Sequence, residues 1–167
     1  FATSAQKVTG SMLMYGQVDI LRNQAIGNFR TLLTDVSKDP AMLFWLDNQY
    51  NVKGKPNENF AREIMELFTL GVGNYSEKDV QEVARAFTGW TIGRRGRPIQ
   101  EPKGKLPANV RFAFLPNQHD DGIKQILGNK GAFNGDDVIG ILCGNPRTSL
   151  YITEKIWNWF VYPDPDS

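Results

Sequence analysis

The stretch from Asn57 to Trp90, NENFAREIMELFTLGVGNYSEKDVQEVARAFTGW, constrains this chain more than any other. Two amphipathic helical patterns flank a glycine-rich corner, which commits this part of the sequence to a helix pair. At about 100° per residue, Leu67, Phe60, Ile64, Phe68, Ala61 and Met65 fill one broad apolar arc, with Arg62, Glu66 and Glu63 in a wedge opposite. Gly71 and Gly73 end the first helix, because glycine accepts φ > 0 without a Cβ clash. Ser76 is the expected N-cap of the second, with Asp79 at N3 completing a capping box and Tyr75 stapling onto Val80. Val80, Val83, Ala84 and Phe87 then form one buried stripe.

The rest of the chain follows the same helical grammar. Met14, Val18 and Leu21 share a face of a predicted helix from about Ser11 to Arg22, and Phe29, Leu32, Leu33 and Val36 define another. Asp39-Pro40 is a restart signal, a capping carboxylate followed by proline at the first helical position. The short helix behind it holds Met42 to Leu46 and is too apolar to be anything but buried. Asp47 to Pro56 reads as a polar loop. Phe133, Asn134 and Val138 repeat the staple and cap at a helix running to about Gly144. A last helix, about Thr148 to Val161, carries Tyr151, Ile152, Ile156, Trp157, Trp159 and Phe160 around most of its circumference. It is expected to be packed on nearly all sides, with missing parts of its own chain as candidates for the covering.

One strand signal interrupts the helices: Trp90–Ile92 and Val110–Leu115 suit a short antiparallel ribbon. Between them, residues 93–107 carry Arg94, Arg95, Arg97, Lys103 and Lys105 with little apolar content, which reads as a surface loop insertion. The expected fold class is therefore all-α (mostly α). It is an irregular multi-helix bundle with one short antiparallel β-ribbon near 90–92 and 110–115, and residues 1–167 form one helical domain.

Composition removes several function classes. Nineteen Lys and Arg against eighteen Asp and Glu give a net charge of +1, which offers no global electrostatic case for nucleic acid or an anionic membrane. No apolar run approaches the length of a membrane span. A lone cysteine, Cys143, excludes an internal disulfide framework, and its apolar surroundings suit a buried, inert thiol. The chain opens at Phe1 without an initiator methionine and stops at Pro-Asp-Pro-Asp-Ser, which reads as a fragment of a larger protein.

Four segments carry a family resemblance: GNFRTLLTDVSKDPAMLFWLD, KGKPNENFAREIMELFTLGVGNYSEKDVQEVARAFTGW, HDDGIKQILG and FNGDDVIGIL. They resemble the bacterial domain-of-unknown-function 1800 family over nearly the whole chain. The resemblance implies a mostly helical protein of several hundred residues, often exported to the periplasm or beyond, and frequently encoded beside an alkaline-phosphatase-like partner. It also implies a Trp-His-x-His motif directly upstream, with Phe1 as the residue that closes the motif, so both of those histidines fall outside this chain. No activity accompanies the family.

The candidate chemistry lies in two places. Glu63 and Glu66 stand at i, i+3 on one helix, close enough for their carboxylates to converge. His119, Asp120 and Asp121 follow the expected ribbon in a loop. Hard carboxylates with one imidazole suit Mn, Fe, Zn or Ca-type ions rather than soft copper chemistry. Glu63, Glu66 and His119 are therefore candidate ligands of a divalent metal ion in the full-length protein. Glu63 or Glu66 would serve as ligand or general base, and Asp120 would orient His119. The plainer alternative is that both glutamates join Arg62 in a solvated, ion-paired wedge and that His119 caps a turn.

Other motifs fail on inspection. Asp47–Glu58 has the length of a calcium loop but places Val52 where glycine is needed and lysines at two ligand positions. Gly128–Gly135 lacks the Lys-Ser/Thr of a phosphate loop. The basic residues between 94 and 105 lack interleaved aromatics, and nothing resembles a nucleophile elbow. Two classes of function stay open: a metal-dependent enzyme in full-length form, and a noncatalytic scaffold working with the alkaline-phosphatase-like partner. In either, the 167-residue chain alone is expected to be catalytically silent.

Overall fold

Each helix of the central pair starts and stops where its sequence demands. A computed structural model describes residues 3–94, 97–99 and 109–161. In chain order its elements are α1 (Ser11–Gln24), α2 (Phe29–Lys38), α3 (Pro40–Trp45), α4 (Glu58–Glu66), α5 (Glu77–Ala86), β1 (Trp90–Arg94), β2 (Arg97–Pro98), β3 (Arg111–Phe114), β4 (Lys124–Ile126), β5 (Asn129–Gly131), α6 (Gly135–Gly144) and α7 (Pro146–Phe160), with single 3₁₀ turns at Asn48–Tyr50 and Pro116–Gln118. The fold is mostly α.

The caps expected at Ser76, Asp39 and Asn134 are present, and Asn57 adds one at α4. Asn57 accepts from Asn59 N to open α4, and Gly71 and Gly73 take φ of 80° and 81° after it. Ser76 and Asp79 form the reciprocal capping box of α5, Asn134 and Asp137 the same device at α6, and Asp39 with Pro40 starts α3. These contacts satisfy N–H groups that every helix N-terminus leaves without an internal partner. The pair α4–α5 packs on Phe60, Ile64, Met65, Val80, Val83, Ala84 and Phe87, all buried. From there an edge-to-face series runs into the sheet: Phe60 to Phe87 at 4.9 Å, Phe87 to Trp90 at 5.0 Å, Trp90 to Phe112 at 5.1 Å.

Three differences from the expectation have physical reasons. First, the segment read as a polar loop is partly interior: Asn48, Gln49 and Asn51 are buried. Asn51 Nδ2 donates to Ala84 O at the end of α5, and Asn48 Nδ2 donates to Trp90 O. Amides are used here because buried carbonyls need donors.

Second, the β-structure exceeds one ribbon. β1 pairs with β3 in the expected place, Trp90 opposite Phe114 and Gly93 opposite Arg111, but it continues to Arg94 and takes β2 on its other edge. Of the expected surface loop, residues 95–96 and 100–107 lie outside the described residues. A separate hairpin, β4–β5, turns at Leu127 and Gly128 with φ of 48° and 83°. Two successive positive φ values suit a two-residue hairpin turn. Leu-Gly replaces the usual Asn-Gly, so the sequence signal was faint.

Third, α7 is not enclosed by the described residues. Its first half docks: Thr148 is buried, and Tyr151 lies so close to Gly71 that an added Cβ there would stand 2.9 Å from the ring. Beyond Lys155 the helix leaves the body, with Ile156, Trp157, Trp159 and Phe160 exposed, Trp159 at 83%. Among the described residues, no helix is long and apolar enough to cross a membrane.

Candidate functional site

The polar side of α4 distributes its charges among different partners. Arg62 turns to Glu77 (Nη2 to Oε2, 2.7 Å) and, more loosely, to Glu58, rather than to Glu63 or Glu66. Glu66 Oε2 accepts from the Tyr75 hydroxyl at 2.7 Å. Burial and this carboxylate push the phenol up to about 12. The Glu63 carboxyl has no hydrogen-bond partner among the described residues. Its carboxyl is shifted upward, first by burial and then by the like charge of Glu66. The two carboxylates thus sense each other, as their i, i+3 spacing implies.

Glu63 lines a cleft of about 540 Å³ between the N-terminal segment, α3, α4 and α7, together with Lys7, Trp45, Asn59 and Lys155. Both lysines are held in place. Lys7 Nζ donates to Trp45 O and Asp47 Oδ2, each at 2.8 Å, and Lys155 Nζ donates to Leu67 O at 3.2 Å. The cleft therefore presents one unpartnered carboxyl group beside two anchored ammonium groups and an indole. None of Lys7, Trp45 or Lys155 was singled out by sequence reading for this role. They come from positions remote in sequence, and only folding brings them together.

His119 and Asp120 occupy different surroundings and do not line that cleft. The imidazole is buried, with Nδ1 2.9 Å from Thr88 O. A carbonyl only accepts, so Nδ1 is the donor in this contact. Thr88 also accepts, through Oγ1, from Asp120 N at 2.8 Å. The Asp120 carboxylate faces Arg85. The group that orients the imidazole is thus the Thr88 carbonyl.

Comparison with known proteins bears on the whole chain. The profile of a family described as "Protein of unknown function (DUF1800)" matches residues 1–167. The chain belongs to the DUF1800 family. No curated protein and no solved structure matches it.

In this DUF1800 chain the three expected metal ligands fall in two places. Among the described residues, no three His, Cys, Asp or Glu side chains gather where they could hold one ion. Glu63 and Glu66 provide two neighbouring carboxylates, one of them already serving Tyr75, and His119 is held on Thr88. Cys143, the lone thiol, is half-buried, and burial pushes its pKa up, which suits an inert role in this family member.

Proposed function

We propose that this chain contributes one wall of a ligand-binding cleft, centred on Glu63, to a DUF1800 protein that is an enzyme in its full-length form. The observation that carries the reading is Glu63 itself: a carboxyl group without a partner among the described residues, raised by burial and by Glu66, in the wall of a cleft of about 540 Å³. A raised carboxyl in a cleft is suited to general acid–base work, since it exchanges a proton closer to neutral pH. Lys7 and Lys155 would hold an anionic or hydroxylated substrate, and Trp45 would pack against its apolar face. In the metal-dependent form of this reading, a divalent ion would relieve the repulsion between Glu63 and Glu66. Its remaining ligands would come from outside this pair, with His119 as the candidate from sequence.

Elemental analysis of the full-length protein tests this, with Glu63→Gln, Glu66→Gln and His119→Ala variants alongside. Stoichiometric metal lost in all three variants supports the ligand set read from sequence. Metal lost only in the glutamate variants supports the carboxylate pair. If a folded, reconstituted protein holds no metal and neither binds nor turns over candidate substrates, the enzyme reading fails, and turnover that Glu63→Gln leaves unchanged removes Glu63 from the site.

A second reading has its own observation. The last turns of α7 expose Ile156, Trp157, Trp159 and Phe160, an apolar surface of the kind that marks a protein contact. In this reading the chain is a noncatalytic scaffold, and α7 packs against the rest of a longer polypeptide or the alkaline-phosphatase-like partner implied by the family. Acrylamide quenching of tryptophan fluorescence distinguishes the cases. Quenching that stays high in the full-length protein, with and without that partner, removes the scaffold reading.

A further inference from the structure

Asp39 caps α3, and capping does not exhaust it. Its Oδ2 accepts from Met42 N at 3.2 Å and from Gln17 Nε2 at 2.9 Å, and the Ala41 backbone donates as well. All three donors are neutral. No Lys, Arg or His forms an ion pair with this carboxylate among the described residues, although the residue is only 4% exposed. An ionised carboxylate offers about four acceptor sites, so one is left over. Burying a charge without a counter-charge is unfavourable. Burial accordingly pushes the Asp39 carboxyl up to about 6, against the opposing effect of its three donors.

The same residue lines a second cleft, also about 540 Å³, separate from the one at Glu63. Its walls are Met12 and Ile20 from α1, Val110 just before β3 and Phe112 within it, which makes them mainly apolar. Arg111 is the other charged residue of the lining; it is exposed and makes no ion pair with Asp39. Gly16 of α1 also lines the cleft, and a Cβ added there would meet nothing within 4 Å. An apolar cleft with one uncompensated buried carboxylate is complementary to a cation carried on an apolar body.

We propose that this cleft binds a small organic amine, its ammonium group on Asp39 and its apolar body against Met12, Ile20, Val110 and Phe112. Charge decides against an anion, because the buried group is itself anionic and Arg111 is left to water. Donor count decides against a bare metal ion, because the lining offers a single carboxylate. The proposal is independent of the Glu63 reading and shares no residue with it.

The probe is 2-phenylethylamine, titrated into the folded full-length protein at about pH 8 and followed through the methyl NMR signals of Met12, Ile20 and Val110. Saturable shifts confined to these groups are expected. Asp39→Asn keeps a capping residue of equal rank and removes the charge. Affinity should fall at least tenfold in that variant. Gly16→Leu leaves Asp39 in place and fills the cleft from α1, so it should abolish the shifts. 3-Phenylpropionate, with the same body and the opposite charge, should leave the signals unmoved. The proposal is overturned by absence of saturable binding, by unchanged affinity in either variant, or by equal binding of 3-phenylpropionate.

Discussion

Arg85 and Asp120 meet through two side-by-side contacts, Nε to Oδ2 at 2.8 Å and Nη2 to Oδ1 at 3.2 Å, while Glu82 takes the other edge of the same guanidinium. The fork binds α5 to the loop that carries His119, across 35 positions of sequence. Around it, Lys124 is buried with its ammonium on the Asp120 and Gly122 carbonyls, and burial lowers its pKa. The loop is held by charge-assisted hydrogen bonds, with the His119 ring packed edge-on against Phe114 at 5.5 Å.

The Arg85 guanidinium holds the Asp120 carboxyl down at about 2. Asp120 therefore releases its proton more readily in the folded than in the unfolded chain. Its contribution is complete above about pH 4 and is lost as the pH falls through 2. A depression of this size corresponds to roughly 2 kcal/mol. Urea unfolding of Asp120→Asn at pH 7 should show a deficit of about that magnitude. The deficit should close as the pH approaches 2, and a deficit that persists unchanged in acid would contradict the assignment.

Asp39 should behave in the opposite sense. Its folded pKa lies above its unfolded value, so between about pH 4 and 6 the native chain binds more protons than the unfolded one. Stability should fall as pH rises through this window and level off above it. The size is on the order of 2 to 3 kcal/mol. Asp39→Asn should flatten that part of the profile while preserving the cap, and melting temperatures measured from pH 4 to 8 would reveal it.

Much of this architecture is legible in the sequence because it is local. Ser76 with Asp79, Asn134 with Asp137, Asp39 with Pro40 and the glycines at 71 and 73 each act within four residues, and each does what its chemistry suggests. The β4–β5 hairpin escaped because Leu127 takes a positive φ without being Asn, Asp or Gly. The site is less legible. Spacing put Glu63 and Glu66 on one polar side, but whether Arg62 or Tyr75 or Lys7 would reach them depends on tertiary packing. His119 is oriented by a main-chain carbonyl, and every residue has one of those.

Gly89 is required by that same corner. It adopts φ of +81°, and a Cβ would lie 2.7 Å from Leu115 O and 3.2 Å from His119 N. Alanine there meets both an unfavourable backbone region and main-chain atoms that cannot rotate away. A loss of more than about 1 kcal/mol is expected for Gly89→Ala. The His119 ring signals in the NMR spectrum should move as well, because the clash falls on its own amide. Parent-like stability with unmoved His119 signals would mean that the corner is looser than these contacts indicate.

The Tyr75–Glu66 contact offers a way to separate structural duty from chemistry in the acidic pair. The phenol donates to Glu66 and is pushed up to about 12, so it should be among the last tyrosines to ionise in a spectrophotometric titration. If Glu66 serves mainly as the acceptor of that hydroxyl, Tyr75→Phe and Glu66→Gln remove one shared interaction. The double variant should then cost less than the sum of the two singles, with a coupling of about 1 kcal/mol. Glu63→Gln lies outside that bond and should add independently to Tyr75→Phe, whereas its coupling to Glu66→Gln reports the repulsion between the two carboxylates. A Glu66→Gln effect on ligand or metal binding that persists in the Tyr75→Phe background would instead assign Glu66 to the cleft, beside Glu63. Additive stability losses for Tyr75 and Glu66 would remove the hydrogen bond from the list of what holds the α4–α5 corner together.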